Sequence, residues 1–323
     1  MKLSIAGTGK IVGEVMKMLH NDFDGQIEVT GVYAREQSVE RAIDLMMAYA
    51  PTGFVYTDYD RMLEEAEADF VYIANANQVH HPFALRALQA GRNVIVEKPL
   101  TVTRVEMDEL YDTAMLRGAL CMPAFSLLYM PLFGRLAEAV KELGTIRIVD
   151  CNYSQYSSRY DRYLKGEVTP AFDPACAGGA LMDINIYNLC FCIALFGPPR
   201  TVRYTRNLGF NGIDTSGVLT LQYPTFVATL TGAKDSAGSS HGCIQGEKGF
   251  IEVDGPVSIM QSFTLHLNGQ EPQTFRSDDR HRLAYEFEAF RQLADNRRES
   301  RLNIPYLSRV ALEIAIAVDK TRI

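Results

Sequence analysis

No stretch of the sequence stays apolar over the roughly 18–20 residues that a membrane-spanning helix requires. The longest candidate, Leu189 to Phe196, suits only a buried helix segment. No leader is visible: Met1-Lys2-Leu3-Ser4-Ile5-Ala6-Gly7 reads as a short strand entering a glycine turn, without a signal peptide's longer apolar stretch and cleavage site. These absences exclude the membrane and secreted classes and set a cytoplasmic expectation. Cysteine is sparse and scattered, at positions 121, 151, 176, 190, 192 and 243. There is no C-x-x-C spacing, and Cys190 and Cys192 would point to different faces of a helix. Zinc and redox readings therefore give way to buried intracellular thiols. No Pro-, Gly- or Ser-rich tract, charge block or internal repeat occurs, which excludes wholesale disorder. Basic charge is also in deficit, 32 Lys and Arg against 39 Asp and Glu for a net charge of −7. That is the wrong sign for a general nucleic-acid binder.

What is present is enough apolar material, 47% of 323 residues, for two cores. Over the first part of the chain strand and helix signals alternate. Leu3 to Ala6, Ile27 to Tyr33, Phe70 to Ala74, Val94 to Val96 and Leu120 to Phe125 read as strands. Ile11 to Leu19, Val39 to Tyr49, Phe83 to Ala90 and Val105 to Arg117 read as helices between them. This order implies an α/β domain with a doubly wound parallel sheet over residues 1–124, its strands covered on both faces and hence continuously apolar. After residue 125 the strands alternate in polarity and are joined by turns such as Asp254-Gly255-Pro256 and Asn268-Gly269. Residues 125–323 therefore read as an α+β domain with a large, open, mainly antiparallel sheet. Two closing helices carry Leu283, Phe287, Phe290 and Leu293, then Val310, Ile314 and Ala317; the last is free to pack back on the first domain.

Three segments carry chemistry. Gly7-Thr8-Gly9 follows the first strand and opens the first helix, as a dinucleotide site requires, although Val12 stands at the third glycine position. A plain structural turn would use the same glycines. At the end of the second strand, where an NAD site offers a carboxylate, the residues are Tyr33, Ala34 and Arg35. An arginine there favours a 2′-phosphate and hence NADP, the alternative being a solvated side chain. Glu97-Lys98-Pro99 ends an apolar strand, where open parallel sheets bind ligands; a charged loop is the competing reading. Finally, a helix from about Ala180 would place Asp183 and Tyr187 on one face at i,i+4. A phenol beside a carboxylate can exchange a proton with a developing alkoxide, or it can be a buried tyrosine bonded to its neighbour.

Together Ala6-Gly7-Thr8-Gly9-Lys10-Ile11, Tyr72 to His80, Val96-Glu97-Lys98-Pro99-Leu100-Thr101 and Gly178 to Tyr187 resemble the Gfo/Idh/MocA oxidoreductases in motif order and spacing. Tyr187, where many members carry histidine, resembles the glucose-fructose oxidoreductase and dimeric dihydrodiol dehydrogenase branch. The resemblance implies a Rossmann domain followed by an open-sheet domain that forms a homodimer or homotetramer. It implies cofactor contacts from Gly7, Thr8, Gly9, Lys10, Ile11, Ala34, Arg35, Ala74, Asn77, His80, Glu97 and Lys98, and catalytic roles for Lys98, Tyr187 and Asp183. Whether Lys98 or Tyr187 is the immediate proton donor stays open at this level. Val12, Pro123, Leu128 and Asn185 depart from the family pattern. His80 and His81 form no metal pair, since adjacent residues diverge and no third ligand is in sight.

The implied activity is hydride transfer between NADP, with NAD as the alternative cofactor, and a hydroxyl or carbonyl carbon of a small polyol, sugar or cyclic diol. The rival is a non-catalytic NAD(P)-binding regulator of the same fold. The tyrosine-rich segment Tyr153, Tyr156, Tyr160 and Tyr163, with Arg159 and Arg162, is a candidate substrate surface or a packed aromatic edge.

Overall fold

The computed structural model describes residues 1–296, 300 and 302–322. The chain forms two compact units, one of Met1–Ala124 with Leu283–Arg309, the other of Phe125–Arg282 with Val310–Ile323.

In the first unit the elements run β1 (Lys2–Ala6), α1 (Lys10–Asp22), β2 (Glu28–Tyr33), α2 (Val39–Tyr49), β3 (Phe54–Tyr56) and α3 (Tyr59–Glu65). They continue as β4 (Phe70–Ile73), α4 (His80–Gln89), β5 (Asn93–Glu97), α5 (Arg104–Arg117) and β6 (Cys121–Ala124). The strands lie in the order β3-β2-β1-β4-β5-β6, all parallel. Strand order reverses at β1 and β4, the position where such sheets open a crevice at their carboxyl ends. Every residue of β4 is buried, as expected for a strand with helices on both faces. Edge strand β6 can accommodate Pro123, because it lacks a neighbour on one side.

Helix ends follow their caps. Thr103 accepts from the Glu106 N–H while the Glu106 carboxylate accepts from the N–H groups of Val102 and Thr103, a capping box that starts α5. Gly118, at φ +66°, ends it in the left-handed conformation. β3 and α3 escaped the sequence reading. The strand has only three residues, and α3 starts on Asp58, whose carboxylate accepts from the N–H groups of Asp60 and Arg61.

The second unit begins with α6 (Pro131–Val140), β7 (Ile146–Ser154), α7 (Tyr160–Leu164) and α8 (Ile186–Phe196). There follow β8 (Thr201–Leu208), β9 (Asp214–Gln222), β10 (Val227–Ala233), β11 (His241–Gly246), β12 (Gly249–Asp254), β13 (Ser262–Leu267) and β14 (Gln273–Arg276). The eight strands order as β14-β13-β12-β11-β7-β10-β9-β8, antiparallel throughout except where β7 and β10 run parallel. Burial alternates along β12, with Gly249, Ile251 and Val253 inside and Phe250, Glu252 and Asp254 outside. The outward face mixes a polar ladder with apolar side chains. Thr229 donates to Asp150 Oδ1 at 2.6 Å, and His241 Nε2 lies 2.8 Å from Asp150 Oδ2. Ile148 and Val227, on the same face, are 47% and 43% exposed.

The chain closes with α9 (Arg282–Asp295) and α10 (Ile304–Asp319). Within the first unit, Phe287 and Phe290 of α9 pack their rings on Tyr72 and Phe70 at 5.5 and 6.2 Å.

Two expectations need correction. The segment Pro174–Phe196 holds an 18-residue window of mean hydropathy 1.6, long and apolar enough to cross a membrane, and the sequence reading overlooked it. It is broken into short turns before α8, and 72% of that window is buried inside the protein, as in a core helix. The cysteines are all free, but Cys176 and Cys243 are half-buried and not in the core; the other four are buried.

Candidate active site

In the first unit the sequence-designated residues gather at the carboxyl ends of the parallel strands. Gly7 leaves β1 at φ +126°, a conformation open to glycine. Its N–H donates to the Tyr33 carbonyl, and a Cβ there would stand 2.7 Å from the Ala74 oxygen. Gly9 differs. The nearest atom to a Cβ on it is that same oxygen, at 3.9 Å, so no neighbouring protein atom demands glycine. Gly9 is the N-cap of α1 and no side chain caps that end. An anion lying on Lys10 and Ile11 N–H groups is the partner such an end accepts. Val12, at the departed third glycine position, is fully buried, and Gly13 has room for a Cβ. The helix therefore packs on the sheet without the third glycine.

Around this turn, Ala34 is buried and its N–H donates to Tyr56 O, while Arg35 after it is exposed. Ala74 is buried behind Gly7, and Asn75 next to it holds its Oδ1 buried with no partner among the described residues. At the end of β5, Glu97 accepts from the Tyr72 hydroxyl at 2.6 Å and from the Lys98 N–H at 3.1 Å. Lys98 itself is half-buried and the Lys98–Pro99 peptide is cis. Asn77 lies half-buried in a short turn leading to α4.

His80 is fully buried. Its Nδ1 lies 2.8 Å from the Pro99 oxygen and its Nε2 3.2 Å from the Asn75 oxygen. Burial holds its pKa below the ordinary value despite both carbonyls. It thus ties the loop after β4 to the loop after Lys98. His81 turns away, 2.8 Å from Glu109 Oε2. Among the described residues no group of three His, Cys, Asp or Glu side chains is placed to hold a metal ion.

The candidate catalytic residues of the second unit lie at the start of α8. Residues Leu181–Asn185 form a π-type turn that runs into the α-helix, where continuous α-helix was expected. Gly178 and Gly179 allow the tight entry: a Cβ on Gly179, at φ +100°, would overlap Asp214 Oδ1. Asp214 is buried, accepts from the Leu181 N–H at 2.7 Å and from the Tyr204 hydroxyl at 2.6 Å, and so fastens the helix start to the sheet. Burial raises its pKa, opposed by those two donors and by the charge of Lys234.

Further along, Asn185 donates to the Leu230 carbonyl, and Asn188 donates to Asn185 Oδ1 and the Thr231 carbonyl. The close approach that a glycine at 185 would permit is made by Gly232 of β10 instead, where a Cβ would meet Asn185 Cβ at 2.5 Å. From Gly178 to Ile193 only Asp183 and Tyr187 are not buried. The buried helix therefore opens at the two positions that sequence reasoning singled out.

Asp183 has a partner that sequence reasoning missed. Lys234, just after β10, places its ammonium 2.8 Å from Asp183 Oδ2 with its side chain 3% exposed. A charged Lys-Asp pair directly after an apolar strand was the available signal. The tyrosine-rich segment divides. Tyr163 is core, stacked on Phe172 and Phe210, and donates to Asn211 Oδ1. Tyr156 is exposed and donates to Asp161. Tyr153 sits with its ring centroid 6.3 Å from that of Tyr187.

Comparison with known proteins agrees with both halves. Residues 1–125 match an oxidoreductase family with an NAD-binding Rossmann fold, and residues 135–252 match the GFO/IDH/MocA C-terminal domain. The chain is 33% identical to the oxidoreductase YgjR of Escherichia coli over 91% of its own length and 88% of the relative's. It is 31% identical to the NADP(+) scyllo-inositol 2-dehydrogenase of Bacillus subtilis, over 94% and 91%. With a trans-1,2-dihydrobenzene-1,2-diol dehydrogenase of Xenopus tropicalis it shares 26%, over 84% and 79%. Its fold matches a 3-ketoreductase of Actinomadura kijaniata solved with NADP and TDP-benzene, at TM-score 0.85 and 22% identity, covering 100% of this chain and 97% of the other.

The two glycines of the first turn should separate by experiment. Gly7→Ala combines a strained φ with a backbone overlap and is expected to cost about 2–4 kcal/mol, read as a lower urea midpoint. Gly9→Ala meets no neighbour and should leave that midpoint within about 0.5 kcal/mol. Equal losses would mean that the fold itself requires Gly9.

Proposed function

The chain belongs to the GFO/IDH/MocA family of oxidoreductases, and from that premise we propose that it transfers a hydride between NADP and a hydroxyl-bearing carbon of a small polyol, sugar or cyclic diol. The observation that carries this reading is the pair Asp183 and Tyr187, the only openings in an otherwise buried helix start. The cofactor fits the residues present. Gly9 leaves open space at the helix start, α1 presents an uncapped N-terminus, and Asn75 Oδ1 is a buried acceptor without a partner among the described residues. When bound, the nicotinamide supplies the two-electron partner for the substrate carbon.

The remaining chemistry belongs to the chain. Gly7 to Ile11 would hold the pyrophosphate on the helix N-terminus. Arg35 would pair with a 2′-phosphate, Glu97 would hold Lys98, and Ala34, Ala74, Asn77 and His80 would shape the remaining contacts. In the oxidation direction the substrate O–H bond breaks, its proton passes to Tyr187, and the C–H electron pair leaves with its hydrogen as hydride. Lys98 would polarise the reacting oxygen and favour the phenolate of a tyrosine whose ordinary pKa is about 10. Asp183 would orient the hydroxyl. The scyllo-inositol and dihydrobenzenediol activities of the relatives support the substrate class. Retention of both Lys98 and Tyr187 favours the enzyme over the non-catalytic regulator.

A homodimer or homotetramer formed through the outward sheet face belongs to the same proposal, supported by the exposure of Ile148, Val218, Val227 and Phe250 there. Light scattering at micromolar concentration should give a multiple of the chain mass; a monomer overturns the assignment.

By fluorescence titration NADPH should bind at least tenfold more tightly than NADH, since a charge-assisted phosphate contact contributes about 1.5–3 kcal/mol. Arg35→Ala should narrow that gap, and equal affinities in the wild type would return Arg35 to the solvent.

In steady-state assays over a panel of polyols and diols, Tyr187→Phe should lower kcat by about two orders of magnitude and leave NADPH affinity within severalfold. Lys98→Met should lose at least as much, and the double variant little more than the worse single one. Wild-type turnover by Tyr187→Phe would make the phenol structural.

A further inference from the structure

Lys234 is a cation without a route to solvent. Its backbone is held on both sides, the N–H donating to the Thr215 carbonyl and the carbonyl accepting from the Ser157 N–H. Its ammonium lies 2.5 Å from the Ala171 oxygen, 4.3 Å from the centre of the Phe172 ring and 2.8 Å from Asp183 Oδ2. Phe172, whose ring lies against the ammonium, is itself fully buried and stacked on Tyr163. At 3% exposure the lysine side chain cannot meet a substrate, whereas Asp183, 34% exposed, can. A buried ammonium is costly unless its charge and N–H groups are satisfied, and here they are spent on a carboxylate that opens to solvent beside Tyr187.

We propose that Lys234 is a positioning residue, which from its buried seat holds Asp183 ionised and aimed at the face that Asp183 shares with Tyr187. The proposal rests on the functional reading of Asp183 and Tyr187 given above. A half-buried carboxylate that loses its cation retains its proton to higher pH. The groups around the pair make that effect strong. Asp214, beside Lys234, is a buried carboxylate whose neighbours are Tyr204 and the Leu181 N–H. Asp235, next in the chain, takes hydroxyl donors from Thr215, Ser216 and Ser236, which hold it below the usual carboxylate range although burial pushes the other way. Tyr160 lies within reach of the Asp235 charge, and the Tyr153 ring lies beside that of Tyr187. These groups are acids, so loss of Lys234 removes a positive charge from among them.

The test pairs a pH profile with a titration that needs no turnover. Lys234→Met keeps the length of the stem and removes the charge. In the full-length protein the acid limb of kcat/KM should move up by about one unit or more, so that the loss approaches ~tenfold on the acid side of that limb and disappears as pH rises above it. Lys234→Arg should restore most of the wild-type profile. Carbon-13 NMR of labelled aspartate, with the Asp183 signal assigned through Asp183→Asn, should show the same upward shift in Lys234→Met and little in Lys234→Arg. Lys234→Gln supplies the neutral variant if the methionine protein does not fold, as judged by its melting transition and by NADPH binding.

A pH-independent loss together with an unmoved Asp183 titration would overturn the proposal and leave Lys234 as packing. If the wild type turned over no hydroxyl or carbonyl substrate, the functional reading would fall. The carboxyl titration would still decide whether Lys234 sets the charge of Asp183.

Discussion

Burial of Asp214 under the start of α8 is the constraint on which the placing of Asp183 and Tyr187 depends. One carboxylate accepts from the Leu181 N–H and the Tyr204 hydroxyl and occupies the space that a side chain at 179 would need. The helix can therefore enter only where two glycines let it pass, and its first turn is drawn against β9. Once the entry is set, the apolar run from Leu181 to Ile193 is committed to the core. Asn185 and Asn188 lock it to the β10 carbonyls. Only one face of the helix is left open, and Asp183 and Tyr187 are what that face carries.

A different constraint governs the first unit. Parallel strands bring all their carboxyl ends to one edge, so loops distant in sequence become neighbours without any contact between their side chains. Gly7, Ala34, Ala74 and Glu97 close four such strands. The hydrogen bonds from the N–H groups of Gly7 to Tyr33, Ala34 to Tyr56 and Ala74 to Ala6 continue the sheet into the loops. The buried His80 then joins two of those loops through their carbonyls.

Much of this was legible in the residues. Apolar runs alternating with helical patterns located five of the six parallel strands, because a strand covered on both faces must be continuously apolar. The Thr103–Glu106 box and Gly118 bound α5 in the structure because the orphan backbone groups at its ends need those side chains or that φ. Short elements were not legible. β3 has three residues and α7 five, too few for a period to show. β8 and β14, at the edges of the second sheet, are mostly exposed and carry little apolar alternation. Tyr163 could not be told from a cleft tyrosine, since both burial on Phe172 and exposure to a ligand call for the same ring.

What the sequence by itself determined is the fold class of both units, the glycine turn after β1, and the pairing of Asp183 with Tyr187 at a helix start. Each of these is local, arising from backbone sterics or from a period within a few residues. What only the tertiary structure decided is who stands opposite. Lys234 meets Asp183 across a separation of 51 positions, Asp214 meets Leu181 across 33, and Gly232 makes room for Asn185. No periodicity encodes such pairings. They follow from which strands lie side by side in the sheet, and a charge or a missing side chain acquires its meaning only when burial has chosen its neighbour.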